Sequence, residues 1–106
     1  MNAKLQIPPK AKRGEEFQVR VIIQHPMENG LRRGDDGRLI PYSVVERLSC
    51  RYNDVEVFGA EMGPGIAANP FLAFFVVAEA SGDVIVEWET TQGERGRASA
   101  ALAVDA

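Results

Sequence analysis

Phe17-Gln18-Val19-Arg20-Val21-Ile22-Ile23-Gln24 alternates apolar and polar side chains with a period of two. Phe17, Val19, Val21 and Ile23 share one face, and Gln18, Arg20 and Gln24 the other, with Ile22 breaking the outer face. Successive side chains of a strand point to opposite faces, so this is the pattern of a strand half buried against a core. Upstream, Lys12-Arg13-Gly14-Glu15 reads as a turn. Lys4 to Ile7 reads as a short edge strand stopped by Pro8-Pro9, which cannot continue a hydrogen-bonded ladder.

The same period recurs downstream, after a long turn-rich loop. From Ser43 to Tyr52 it sets Val44, Leu48, Cys50 and Tyr52 against Val45, Arg47, Ser49 and Arg51. Asn53-Asp54 tolerates positive φ and predicts a two-residue hairpin turn into a strand from Val55 to Glu61. A loop from Met62 to Asn69 leads to an apolar strand from Phe71 to Ala78. Ser81-Gly82-Asp83 then turns into Val84 to Thr90, with Val84, Val86 and Trp88 on one face. Gln92-Gly93-Glu94 turns into Arg97 to Val104, with Ala98, Ala100, Leu102 and Val104 inward. No segment carries a 3.6-residue period. About seven strands with closely spaced turns predict an all-β, immunoglobulin-like sandwich, a single domain over residues 1–106 without the paired cysteines of an antibody domain.

Composition narrows the function. Fifteen acids against twelve bases give a net charge of −3. That is no basic footprint for nucleic acid and no polybasic strip for an anionic membrane. No run approaches the roughly 20 apolar residues of a membrane helix, and the first residues lack the apolar core of a secretory signal. One histidine and one cysteine are too few for the usual zinc sites. No metal or cofactor is expected.

Few residues carry chemistry. His25 ends the first patterned strand, near Glu28, Asp35 and Asp36, and could shuttle protons with a carboxylate as its orienter. A lone histidine without a paired nucleophile more often caps a strand or holds a loop. Neither Ser43 nor Ser49 has a histidine at a telling spacing. Cys50 falls on the inner face by parity, with Arg47 and Arg51 on the other, and reads as an inert core thiol. Asp35-Asp36-Gly37 lacks the oxygen ladder of a calcium loop and reads as a turn. Gly30, Gly34, Gly37, Gly63 and Gly65 have no lysine or helix after them to make a phosphate cradle.

The positive signal is Phe71-Leu72-Ala73-Phe74-Phe75-Val76-Val77-Ala78, apolar on both faces. If Phe71, Phe75 and Val77 fill the core, Leu72, Phe74 and Val76 need another cover, and Ile22 and Ile85 also point outward. The cover is either a loop of the same chain, such as 25–41, or a partner protein. Leu72, Phe74 and Val76 are therefore the expected partner-binding residues, with Met27, Met62 and Ile66 as loop candidates.

The ordered series Val21 to Gly30, Asp36 to Pro41, Leu48 to Asn53, Ala68 to Phe71 and Gly82 to Trp88 resembles the SoxZ family of the bacterial sulfur-oxidation system, over nearly the whole chain. The resemblance implies an immunoglobulin-like, non-catalytic subunit that pairs with SoxY as a heterodimer. In that family SoxY carries sulfur intermediates on a cysteine in a glycine-rich C-terminal arm. SoxZ helps present the arm to other sulfur-oxidation enzymes, which it touches transiently. It also implies a periplasmic location, reached with a signal-bearing partner. The end of this chain, Ala100 to Ala106, holds no cysteine or glycine-rich arm. Alone, the chain can self-associate through the same apolar face. Two other readings stand beside this one: a generic β-sandwich binding module, and a small enzyme using His25.

Overall fold

In the computed structural model, which describes residues 2–63, 66 and 68–105, two sheets pack face to face. The strands are Ala3–Gln6 (β1), Lys10–Lys12 (β2), Glu16–Ile23 (β3), Val45–Tyr52 (β4), Val55–Glu61 (β5), Phe71–Val77 (β6), Gly82–Thr90 (β7) and Arg95–Asp105 (β8). One sheet has the order β1-β3-β6 and the other β2-β8-β7-β4-β5. The architecture is the expected all-β, immunoglobulin-like sandwich, with eight strands among the described residues rather than about seven.

The added strand is β2. Lys10–Lys12 runs parallel to β8, pairing Ala11 with Val104. Its three residues are too short to show a period, and a parallel partner more than 90 positions away leaves no local signal. The turn after it falls where expected, with Gly14 at φ 88°.

The core follows the alternation. Phe17, Val19, Val21 and Ile23 of β3 face Leu48, Cys50 and Tyr52 of β4 and Val84, Val86 and Trp88 of β7, all buried. Val45 is a correction. It is fully buried beside Val44, because the β4–β7 register slips between Val45 and Arg47. A bulge inserts one residue and reverses the parity ahead of it. The β4–β5 hairpin turns on Asn53 and Asp54, at φ 50° and 66°.

Tyr52 joins the two sheets, and Trp88 packs within the larger one. The Tyr52 ring meets Phe17 edge to face, with centroids 5.8 Å apart. Its hydroxyl accepts the Glu79 and Ala80 backbone N–H groups at 3.1 Å each and donates to the Ala80 carbonyl. Trp88 lies across Gly96 of β8, where an added Cβ would sit 2.2 Å from the indole. Gly96→Ala should therefore cost about 1–3 kcal/mol of stability through overpacking, read as a lower thermal midpoint with the far-ultraviolet spectrum kept.

Candidate functional site

His25 follows β3 and is only 5% exposed. Its Nδ1 accepts the Met27 backbone N–H at 3.0 Å. The neutral ring therefore carries its proton on Nε2, which faces Ser43 Oγ at 3.4 Å. Sequence spacing did not reveal this Ser43–His25 contact. Its tautomer is the reverse of a nucleophile–base pair, in which Nε2 must accept the hydroxyl proton and Nδ1 must donate to a carboxylate. Burial pushes the imidazole below its ordinary range, while Glu94 and Glu28 pull it partly back.

The other candidates also have structural roles. Glu28 is held below its usual carboxylate range chiefly by its hydrogen bond from Arg32. Cys50 is fully buried, and desolvation raises its thiol to about 11. Asp36 Oδ1 accepts the Arg38 N–H at 3.0 Å in an Asx turn closed by Gly37 at φ 79°. Among the described residues no group of three or more His, Cys, Asp or Glu is placed to hold a metal.

The surface divides sharply. On the outer face of the five-stranded sheet, Arg51 pairs with Glu87, and Arg95 Nε lies 3.7 Å from Glu89. An open groove of about 570 Å³ crosses this face, lined by Arg47, Ser49, Gly59, Glu61, Glu89 and Arg95 among others. Acids and bases alternate there and meet one another, the character of a solvated face.

The outer face of β1-β3-β6 is different. Phe75 is 64% exposed, Phe71 50% and Val77 48%, with Ile22 beside Phe71 in the β3–β6 register. The Arg20 guanidinium lies 5.5 Å over the Phe71 ring. The 25–41 loop does not cover this face: it leaves Leu31 and Leu39 exposed and sends Met27 into the core.

The expected interface residues are thus redistributed. Phe74 and Val76 are buried and Leu72 is half-buried, because β6 faces inward with its even positions. Phe74 stacks on Phe58 of β5 at 4.0 Å between centroids. Met27 is buried, with Sδ accepting the Val45 N–H at 3.2 Å. Met62 is half-buried and Ile66 exposed, while Pro64, Gly65 and Ala67 of the same loop lie outside the described residues. Ile22, Phe71, Phe75 and Val77 take the outward positions.

The inversion is set just before β6. Asn69 sits at φ 54°, its Oδ1 accepts the His25 N–H at 3.0 Å, and its own N–H donates to the His25 carbonyl at 2.7 Å. Pro70 C=O then accepts from Ile23 N–H at 3.0 Å. These bonds start the β3–β6 ladder with the even residues of β6 turned to β3. Nothing in residues 62–70 as a sequence distinguishes this phase from the other.

Fold and surface together define a class: an immunoglobulin-like sandwich whose uncovered surface is an apolar sheet face. The chain belongs to the SoxZ family, whose model, described as sulphur oxidation protein SoxZ, matches residues 5–101. Membership ties it to the sulfur-oxidation system. Among solved structures it is similar to the superoxide reductase (neelaredoxin) of Ignicoccus hospitalis, at 18% identity and a TM-score of 0.74, covering 99% of this chain and 81% of that one. It is also similar to the sulfur carrier protein SoxY of Chlorobium limicola f thiosulfatophilum, at 14% identity and a TM-score of 0.66, covering 98% of this chain and 79% of that one. Both likenesses concern the fold alone. Comparison with curated proteins finds no match.

Two outcomes follow from this geometry. Asn69→Ala should cost about 1–2 kcal/mol, comparable to losing a capping side chain, and should increase dye binding to exposed apolar surface as β6 loosens. The lowered His25 pKa favours the neutral ring in the fold, so below about pH 6.5 the unfolded chain binds more protons. Stability should be full above that value and fall as pH drops toward the folded pKa. Denaturant titrations at pH 7.5 and 5.5 read this slope, and His25→Gln should flatten it, since the chain has one histidine.

Proposed function

We propose that this chain is the non-catalytic subunit of a SoxYZ-type sulfur carrier complex. It docks a cysteine-bearing SoxY-type subunit as a heterodimer and helps present the sulfur-loaded arm to the oxidising and hydrolysing enzymes of the pathway. The complex works in the periplasm, and this subunit travels there with its signal-bearing partner. The observation that carries the reading is the uncovered apolar strip of Ile22, Phe71, Phe75 and Val77 on a chain of the SoxZ family. Apolar side chains left in water are a stabilisation that a partner can recover, at about 1.5–3 kcal/mol for each large residue fully buried.

The disposition of the reactive groups agrees. The thiol is sealed in the core with its pKa raised, so it is a poor nucleophile and a poor sulfur acceptor. Its companion would supply the reactive sulfur. His25 is committed to the backbone of its own loop. Met62 and Ile66, in the loop that leads to β6, are the loop residues this reading offers to the partner.

Co-expression with a SoxY-type subunit should yield a single heterodimeric species. Phe71→Ser with Phe75→Ser should weaken the complex by roughly 30-fold or more, the loss typical of a buried aromatic anchor, with little change in thermal midpoint. Val76→Ser should instead lower the midpoint, because Val76 is core. Two separate species with the unmodified chain would refute the reading.

A further inference from the structure

A sandwich of two open sheets has four edge strands: β1, β6, β2 and β5. Natural proteins blunt such edges against unwanted pairing by short strands, charges, prolines or bulges. Three edges here are blunted. β1 has four residues, carries Lys4 and is followed by Pro8-Pro9. β2 has three residues, two of them lysine. β5 is broken in register opposite Cys50 and Arg51 and carries Glu56 and Glu61.

β6 has none of these devices. Phe71–Val77 is seven residues without charge or proline, and its register on β3 is unbroken. Pro70 C=O and Ala78 N–H bond toward the β3 side, to Ile23 N–H and Glu15 C=O. Alternation therefore turns the N–H and C=O groups of Phe71, Ala73, Phe75 and Val77 to the open edge.

The strip is also polar along its length. Arg20 and Lys4 lie near its Phe71 end, through the pairs Arg20–Ala73 and Lys4–Ile22. Glu16 pairs with Val77 at the other end, with Glu79 just beyond. Reversing the strip sets positive against negative, so it is complementary to an antiparallel copy of itself.

We propose that in the absence of another partner the β6 edge is closed by the β6 of a second copy, antiparallel about a two-fold axis through Phe74. Ala73 then pairs with Phe75 of the second copy and Phe71 with Val77, and these are the residues whose backbone groups face the open edge. The two three-stranded sheets merge into one of six strands, an isologous interface. Each apolar strip is extended by the other, and the Arg20 end of each copy meets the Glu16 end of its mate. The inference concerns the isolated chain and does not depend on the heterodimer, although both would use β6.

Sedimentation equilibrium of the isolated chain across the micromolar range should give a dimer that dissociates on dilution. Ala73→Pro removes an edge N–H that β3 does not use, and should give a monomer with an unchanged circular dichroism spectrum. Where that variant does not fold, Phe75→Lys, on the exposed face, should give the same result. Arg20→Glu should weaken the dimer by about twofold at low ionic strength, since the two β6 strands separate Arg20 from Glu16 of the second copy. Adding Glu16→Arg should restore it. A monomer at every concentration, a dimer that survives both edge variants, or failure of the charge swap to restore association would each overturn the proposal. Binding of a SoxY-type subunit, measured separately, tests the proposed function and leaves this result untouched.

Discussion

The His25–Asn69 latch is the constraint on which the exposed apolar face depends. Two short bonds between a strand end and a left-handed asparagine fix where the β3–β6 ladder begins. Because side chains alternate, a shift of one residue in that start would exchange the faces of β6 completely. Phe74 and Val76 would leave the core, and Phe71, Phe75 and Val77 would enter it. His25 is itself fixed by its ring nitrogen on Met27 N–H, and Met27 by its sulfur on Val45 N–H. The chain of contacts runs from β4 through a loop to β6, so the one histidine helps set which face of β6 is exposed.

The two sheets resolve the problem of their outer faces in opposite ways. The five-stranded sheet presents arginine and glutamate on neighbouring strands, paired as Arg51–Glu87 and Arg95–Glu89. Such exposed pairs add little stability, but they make the face largely polar. The three-stranded sheet keeps phenylalanines and valine in water. Its size makes this possible: β6 is a bare edge, whereas the equivalent edge of the larger sheet, β5, is interrupted by a bulge. Phe58 and Phe74 stack where these two edges meet and close the core beneath the exposed strip.

How far the sequence reveals this depends on contrast between parities. β3 is legible because Phe17, Val19, Val21 and Ile23 alternate with Gln18, Arg20 and Gln24, so one register has a large free-energy advantage. Asn53-Asp54 is legible because few residues accept positive φ. Cys50 is legible in role from its inward parity; His25 is legible as a loop-holding residue, although its contact with Ser43 is not. β6 is legible as a strand but not in orientation, since both faces are apolar and the choice lies in a side-chain bond from position 69 to position 25. Val45 misleads for a related reason, as the bulge after it changes the count without changing the composition. β2 is invisible because three residues against β8 carry neither period nor turn chemistry.

The fold likeness to both superoxide reductases and a sulfur carrier shows how little a sandwich of this kind determines about chemistry. What separates the possibilities is where reactive atoms are placed. In this chain the thiol points into the core, the imidazole accepts a backbone proton on the nitrogen a triad would use to donate, and Ser43 sees only the protonated side of that ring. Making His25 a base for Ser43 would require moving a proton between ring nitrogens, breaking the Met27 bond and finding a new acceptor for Nδ1–H inside the loop. The same movement would loosen the latch that orients β6. Catalysis at that site and an intact apolar face are therefore physically opposed in this molecule, and the structure is built around the face.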